Sequence, residues 1–172
     1  MTHAIRIAPL HSYLKNHLAG SVAALELIDH LRSASPIEDR QFLSALRHEI
    51  EADQQVLQTL LHDLGGSASR VRHVGARLTE KLGELKLRID DTHRNGLGRL
   101  EALETLALGI RGKLALWTAL EAISDRVEEV GRLDLAELKE RAHDQHARVE
   151  ARRLEAAWEA FTTPRSDGSY DD

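Results

Sequence analysis

The chain has 172 residues, 42% of them hydrophobic, a net charge of −5 and no cysteine. That length and balance describe one ordinary globular domain, and the missing thiols exclude disulfides, thiolate nucleophiles, iron–sulfur clusters and thiolate zinc sites. Acidic and basic residues are interspersed, so no basic field invites nucleic acid, and no apolar run approaches the roughly 18 residues of a membrane span. The opening stretch MTHAIRIAPLHSYLK lacks a signal-peptide core, so a cytoplasmic location is expected.

Leu and Ala dominate the apolar fraction, aromatics make up only 3%, and the three prolines stand where helices begin or have ended. The first helix is expected over 9–33, with Leu10, Leu14, His17, Ser21, Ala24, Ile28 and Leu31 on one seam. Ser35, Pro36 and Glu38 read as N-cap, first helical position and capping-box glutamate of a second helix over 37–64. Its seam is Leu43, Leu46, Ile50, Asp53, Leu57, Leu60 and Leu64, stopped by Gly65 and Gly66. The short turn between these helices makes them antiparallel neighbours.

A shorter amphipathic helix is expected over 71–88, then a third long helix over 97–130, apolar nearly all round between Leu103 and Leu120. Asp134 can cap a fourth long helix over 133–161, and residues 164–172 read as a frayed acidic tail behind a single domain of 1–163. The fourth helix carries two apolar stripes. One contains Ala142 and Val149; the other runs Ala147, Ala151, Leu154, Trp158 and Phe161.

The connection from Gly65 to Gly96 is long enough to travel the length of a bundle and return the third helix to the second helix's starting end. The order long, long, short, long, long resembles the ferritin-like superfamily. That resemblance implies an all-α, up-down-down-up four-helix bundle whose crossover carries the fifth, shorter helix. It also implies a di-iron centre built from a Glu on two helices and Glu-x-x-His on the other two. Glu140 and His143 match half of that set literally, but the second helix offers no Glu-x-x-His, and Glu26 on the first lies away from its seam. The resemblance is to the fold, with the metal motif incomplete.

A different polar group stands at one height in the bundle. Equal rise on both sides of the turn near Ser35 puts His17 level with Asp53, each on its own seam. Glu121, Glu140, His143 and His146 fall within about two turns of them, and Gln145 lies between Ala142 and Val149. Two readings stand. These side chains could converge on a divalent iron, manganese or zinc ion, in a protein linked to iron or oxidative-stress handling. Alternatively His17 pairs with Asp53 or Glu121 and sets the helix register without any metal. Lys113 and Arg111 read as snorkelling, or as pairing with Glu49 or Glu150. No Ser-His-Asp or Cys-His arrangement can be argued. The expected function is therefore a non-catalytic bundle acting through self-association or protein interaction, with dimerisation through the Leu154–Trp158–Phe161 stripe.

Overall fold

A computed structural model describes residues 5–35, 37–66 and 96–162. Every regular element among them is a helix: α1 (Ile7–Ala34), α2 (Ile37–Asp63), α3 (Leu97–Glu121), the short α4 (Glu128–Gly131) and α5 (Leu135–Phe161). The helix expected over 71–88 and the tail at 164–172 lie outside the described residues. Among the described residues no helix is long and apolar enough to cross a membrane.

The seam of α2 is buried as the periodicity demands, from Leu43 and Leu46 through Ile50, Asp53 and Leu57 to Leu60, with Leu61 beside it. On α1 the buried set is wider than one seam. Leu18, Ala23 and Leu27 join Leu14, Ile28 and Leu31, whereas His17, Ser21 and Ala24 are half-buried. The reason is that α1 packs against both α2 and α3, so two of its ridges face neighbours. Most contacts of α3 go to α5, and its buried set runs from Leu100 to Trp117 and Leu120. The α5 face that meets this core is Leu135, Leu138, Ala142, Gln145, Val149 and Ala156.

Polar bonds set the direction of the helix pairs. Between α1 and α2, Asp29 accepts from Arg47 at 3.0 Å, Ser21 accepts from Gln54 at 2.8 Å, and His11 meets the Leu64 carbonyl at 3.0 Å. Residue numbers rise on one helix as they fall on the other, so the two are antiparallel. Between α3 and α5 the same holds for Arg99 with Glu159 at 2.6 Å and Glu121 with Lys139 at 2.7 Å.

Three local features end the helices. At the end of α2, Gly65 takes φ 75°, the Gly66 N–H reaches the Leu61 carbonyl, and the Gly65 N–H reaches that of His62. This is the Schellman pattern, and it needs a residue free to enter the left-handed region. Ser35 donates its hydroxyl to the Leu31 carbonyl at 2.7 Å and closes α1. The Asp134 carboxylate accepts from the Glu137 N–H at 2.9 Å, capping α5 as expected.

The third long helix is shorter than its expected span of 97–130, stopping at Glu121. Ser124 donates its hydroxyl to the Glu121 carbonyl at 2.9 Å, giving the backbone a local alternative to the helix ladder. The chain then tucks Val127 and Val130 into the core before α5 begins. Gly131 makes that tuck possible: a Cβ there would stand 2.8 Å from the Ser124 carbonyl oxygen. Because that obstacle is backbone, Gly131→Ala is expected to destabilise the fold by about 1–3 kcal/mol, read as an earlier thermal transition by circular dichroism. An unchanged transition would show that the turn yields freely.

Candidate functional site

Asp53 is the polar residue that α2's apolar period carries into the core, and its side chain is only 2% exposed. A lone carboxylate there would be strongly unfavourable, and three side chains from two other helices prevent it. Arg141 of α5 donates to Oδ1 from Nε at 2.8 Å and from Nη2 at 2.6 Å. Lys113 of α3 donates to Oδ2 at 2.5 Å and also to Oε1 of Gln145. Gln145, completely buried, turns its Nε2 back toward Asp53 Oδ2 at 3.4 Å. The outer end of Arg141 meets Glu137 at 3.2 Å. Burial pushes the Lys113 ammonium below its ordinary value of 10.5, and the Asp53 carboxylate opposes that shift.

Lys113 therefore neither snorkels to water nor pairs with Glu49 or Glu150. It lies between Ile110 and Trp117 at three- and four-residue spacing, the same helical face, which was the signal available in the sequence. Glu49 is taken by Arg148 at 2.5 Å, and Glu150 by Arg153 at 2.6 Å.

The other sequence-derived candidates are scattered. His17 is half-buried, with its ring edge-on to Tyr13 at a centroid distance of 4.7 Å. It shares a cavity wall with Asp53, whose bonds go to α3 and α5. Glu121 is exposed, and both its oxygens accept from Lys139 at 2.7 Å. Glu140 and His143 are exposed, and His146 is partly so, because the buried stripe of α5 passes through Leu138, Ala142, Gln145 and Val149. Among the described residues, no three His, Asp or Glu side chains come close enough together to hold a metal ion. The chemistry of the buried layer is charge pairing: one carboxylate held by an ammonium, a guanidinium and an amide.

Beside this layer lies a cavity of about 190 Å³ between α1, α2 and α3, reaching from Ala24 and Leu27 to Leu106 and Trp117. Burial holds His17, on its wall, below the usual 6.5. As pH falls through 6.5 the unfolded chain therefore takes up this proton before the folded chain does. The His17 contribution to stability is full above about pH 6.5 and declines below it. Urea unfolding of the parent and of His17→Gln at pH 8 and pH 5 is expected to show a smaller acid loss in the variant; equal losses would remove His17 from the acid response.

Compared with known proteins, the chain matches no protein family, no curated protein and no solved structure.

Proposed function

We propose that this chain is a non-catalytic, ferritin-like helical bundle that works by pairing with a second copy of itself through the outer face of α5. The observation that carries the reading is the stripe Ala147, Ala151, Leu154, Trp158 and Phe161. All five are exposed, with Leu154 at 56%, Trp158 at 71% and Phe161 at 73%. The opposite face of α5 fills the core, and among the described residues this one takes no part in it. The spacing alternates four and three, which is the seam of a helix pair, over about 21 Å.

The stripe is also self-complementary. In an antiparallel pair centred on Leu154, Phe161 stands opposite Ala147 and Trp158 falls within one residue of Ala151, large against small. A twofold pair of this kind buries one surface patch against its own copy, the commonest form of oligomer.

An up-down-down-up order of the long helices is supported by the polar bonds. Asp39 and Asp53 of α2 meet Arg99 and Lys113 of α3 in rising order, so those helices run parallel. Glu49 and Asp53 meet Arg148 and Arg141 of α5 in falling order. The exposed Glu140–His143 pair matches the di-iron motif in sequence only, and among the described residues it belongs to no group of three His, Asp or Glu side chains.

Sedimentation velocity on the full chain across a wide concentration range tests the proposal. A concentration-dependent shift from monomer to dimer is expected. A monomer throughout, with Trp158 shielded from a soluble quencher, would put the cover within the chain itself and end the self-association reading.

A further inference from the structure

We infer that the half-open cleft between α1, α2 and α3 is the seat of the chain's own residues 71–89, docked by their apolar face. The cleft has walls from Ala24 and Leu27 of α1, Ile50 and Leu57 of α2, and Leu106 and Ile110 of α3, with the exposed Thr105 and Gly109 at its mouth. The stripe beyond the mouth is uncharged: Leu108 is 64% exposed, and Gly112, Ala115 and Ala119 follow it along α3 at helical spacing. Apolar ground of that extent on a folded chain marks a contact. This surface is separate from the outer face of α5.

The connection from α2 to α3 has two routes, over α1 or round α5. The end of α2 lies beside α1, where the His11 ring meets the Leu64 carbonyl at 3.0 Å. The start of α3 lies at the other end of the bundle, where Arg99 pairs with Asp39 of α2 at 2.8 Å. Residues 67–95, outside the described residues, therefore travel the bundle's length, about 37 Å for the 25 residues of α3. In helical form 71–89 cover about 28 Å, and their flanks close the rest at up to about 3.5 Å per residue. The seam between α3 and α5 is filled: Arg153 meets Glu104 at 3.9 Å, and a Cβ on Gly96 would stand 3.4 Å from the Ala160 Cα. The seam between α1 and α3 is the open one, and α2 releases the chain beside α1.

Shape and charge agree with that route. Val71, Val74, Leu78, Leu82, Leu85 and Ile89 recur at three and four positions, so a helix there has one apolar face, which holds in water chiefly against a partner. On the bundle side Gly20, Gly109 and Gly112 each leave room where a Cβ would meet nothing within 4 Å, at a cost in helix propensity. Such gaps admit another backbone at close range. The stretch 71–89 carries five basic residues against two acidic ones, in a chain of net charge −5. Lys86 and Arg88 arrive near the start of α3, where the rim holds Glu26 and Glu101, one helical turn from the wall residues Ala23 and Thr105. Opposite charge along a rim sets orientation and register.

The chain has no cysteine, so introduced thiols report the position. Gly109 is the middle residue of α3, and Leu78 and Leu82 bracket the middle of 71–89, which brings them level. Leu78→Cys or Leu82→Cys is combined with Gly109→Cys, and separately with Leu154→Cys on the outer face of α5. Mild oxidation of the Gly109→Cys pairs is expected to give a disulfide within one chain, found by peptide mapping of the monomer fraction, with helical circular dichroism retained. In the Leu154→Cys pairs the thiol at 78 or 82 should stay free. A link to 154 would put the segment on α5 and overturn the inference, as would the lack of any link within one chain. The parent chain gives a second reading without substitution. Trypsin should cut at Arg77 and Lys81 roughly 10-fold or more slowly than at Arg165, since docked residues are reached only by local opening. Cutting at equal rates would leave the cleft unoccupied and overturn the inference as well.

Discussion

Asp53→Leu is expected to lose about 3–5 kcal/mol of folding stability, because it strands an ammonium in the core. Lys113 is 15% exposed and would keep only the Gln145 amide oxygen, a neutral partner for a buried charge. Arg141 is better placed, at 28% exposure with Glu137 within 3.2 Å, so it can turn outward with little penalty. The damage therefore lies with Lys113, and the companion experiment removes it. Asp53→Leu combined with Lys113→Met replaces both charges by apolar groups and should recover most of the loss, since well-packed apolar substitutes for a buried pair are often neutral or better. For a chain of this size the single variant should melt on the order of 10 °C below the parent. Scanning calorimetry decides the matter: a single variant that melts with the parent, or a double variant no better than the single, would contradict the pairing.

Trp158→Lys is expected to weaken self-association about 30-fold or more while leaving the melting of the monomer nearly unchanged. Large aromatic anchors at the centre of an interface cost 2 kcal/mol or more when removed, and each 1.4 kcal/mol is tenfold in affinity. Within one chain Trp158 is 71% exposed and supports nothing in the core, so folding should not register the change. The pairing geometry has its own probe. The chain contains no cysteine, so Leu154→Cys places a lone thiol at the proposed twofold axis. Mild oxidation should then link two chains through that one position. Trp158→Lys that sediments as the parent does would remove the stripe from the interface, and Leu154→Cys that stays unlinked would remove the antiparallel pairing.

Much of the helical frame is legible from spacing alone, and the reasons for success and failure are physical. The α2 seam reads correctly because each of its apolar residues recurs at three or four positions on one uncrowded face. Asp53 is caught by the same period, and its burial follows. Its partners do not follow, since an argument from height compares Cα positions and ignores side-chain length. Lys113 and Arg141 reach Asp53 across the core on long stems, whereas His17, level with it on the adjacent helix, has a short one. The two stripes of α5 both read as candidate core faces in sequence, the outer one the more apolar. Only packing against α3 reveals that Ala142, Gln145 and Val149 face inward and that Leu154 and Trp158 do not. The end of α3 is missed for another reason: apolar periodicity continues through Val127 and Val130, while the backbone near Glu121 changes to three-residue bonds, Ile123 N–H to the Leu120 carbonyl at 3.0 Å and Ser124 N–H to that of Glu121 at 3.2 Å.

The wiring of Asp53 also bears on the order in which the chain assembles. The ion pairs Asp29–Arg47 and Glu121–Lys139 each close 18 residues of chain, so each helical hairpin can form from local encounters. The bonds of Asp53 span 60 residues to Lys113, 88 to Arg141 and 92 to Gln145. Loops of that length close slowly, and no one of these bonds is complete until the hairpins have met. A contact made after that encounter does little to hasten folding; it acts on the return journey, by slowing escape from the native state. The buried carboxylate is therefore a latch on the lifetime of the folded chain rather than a seed for its formation.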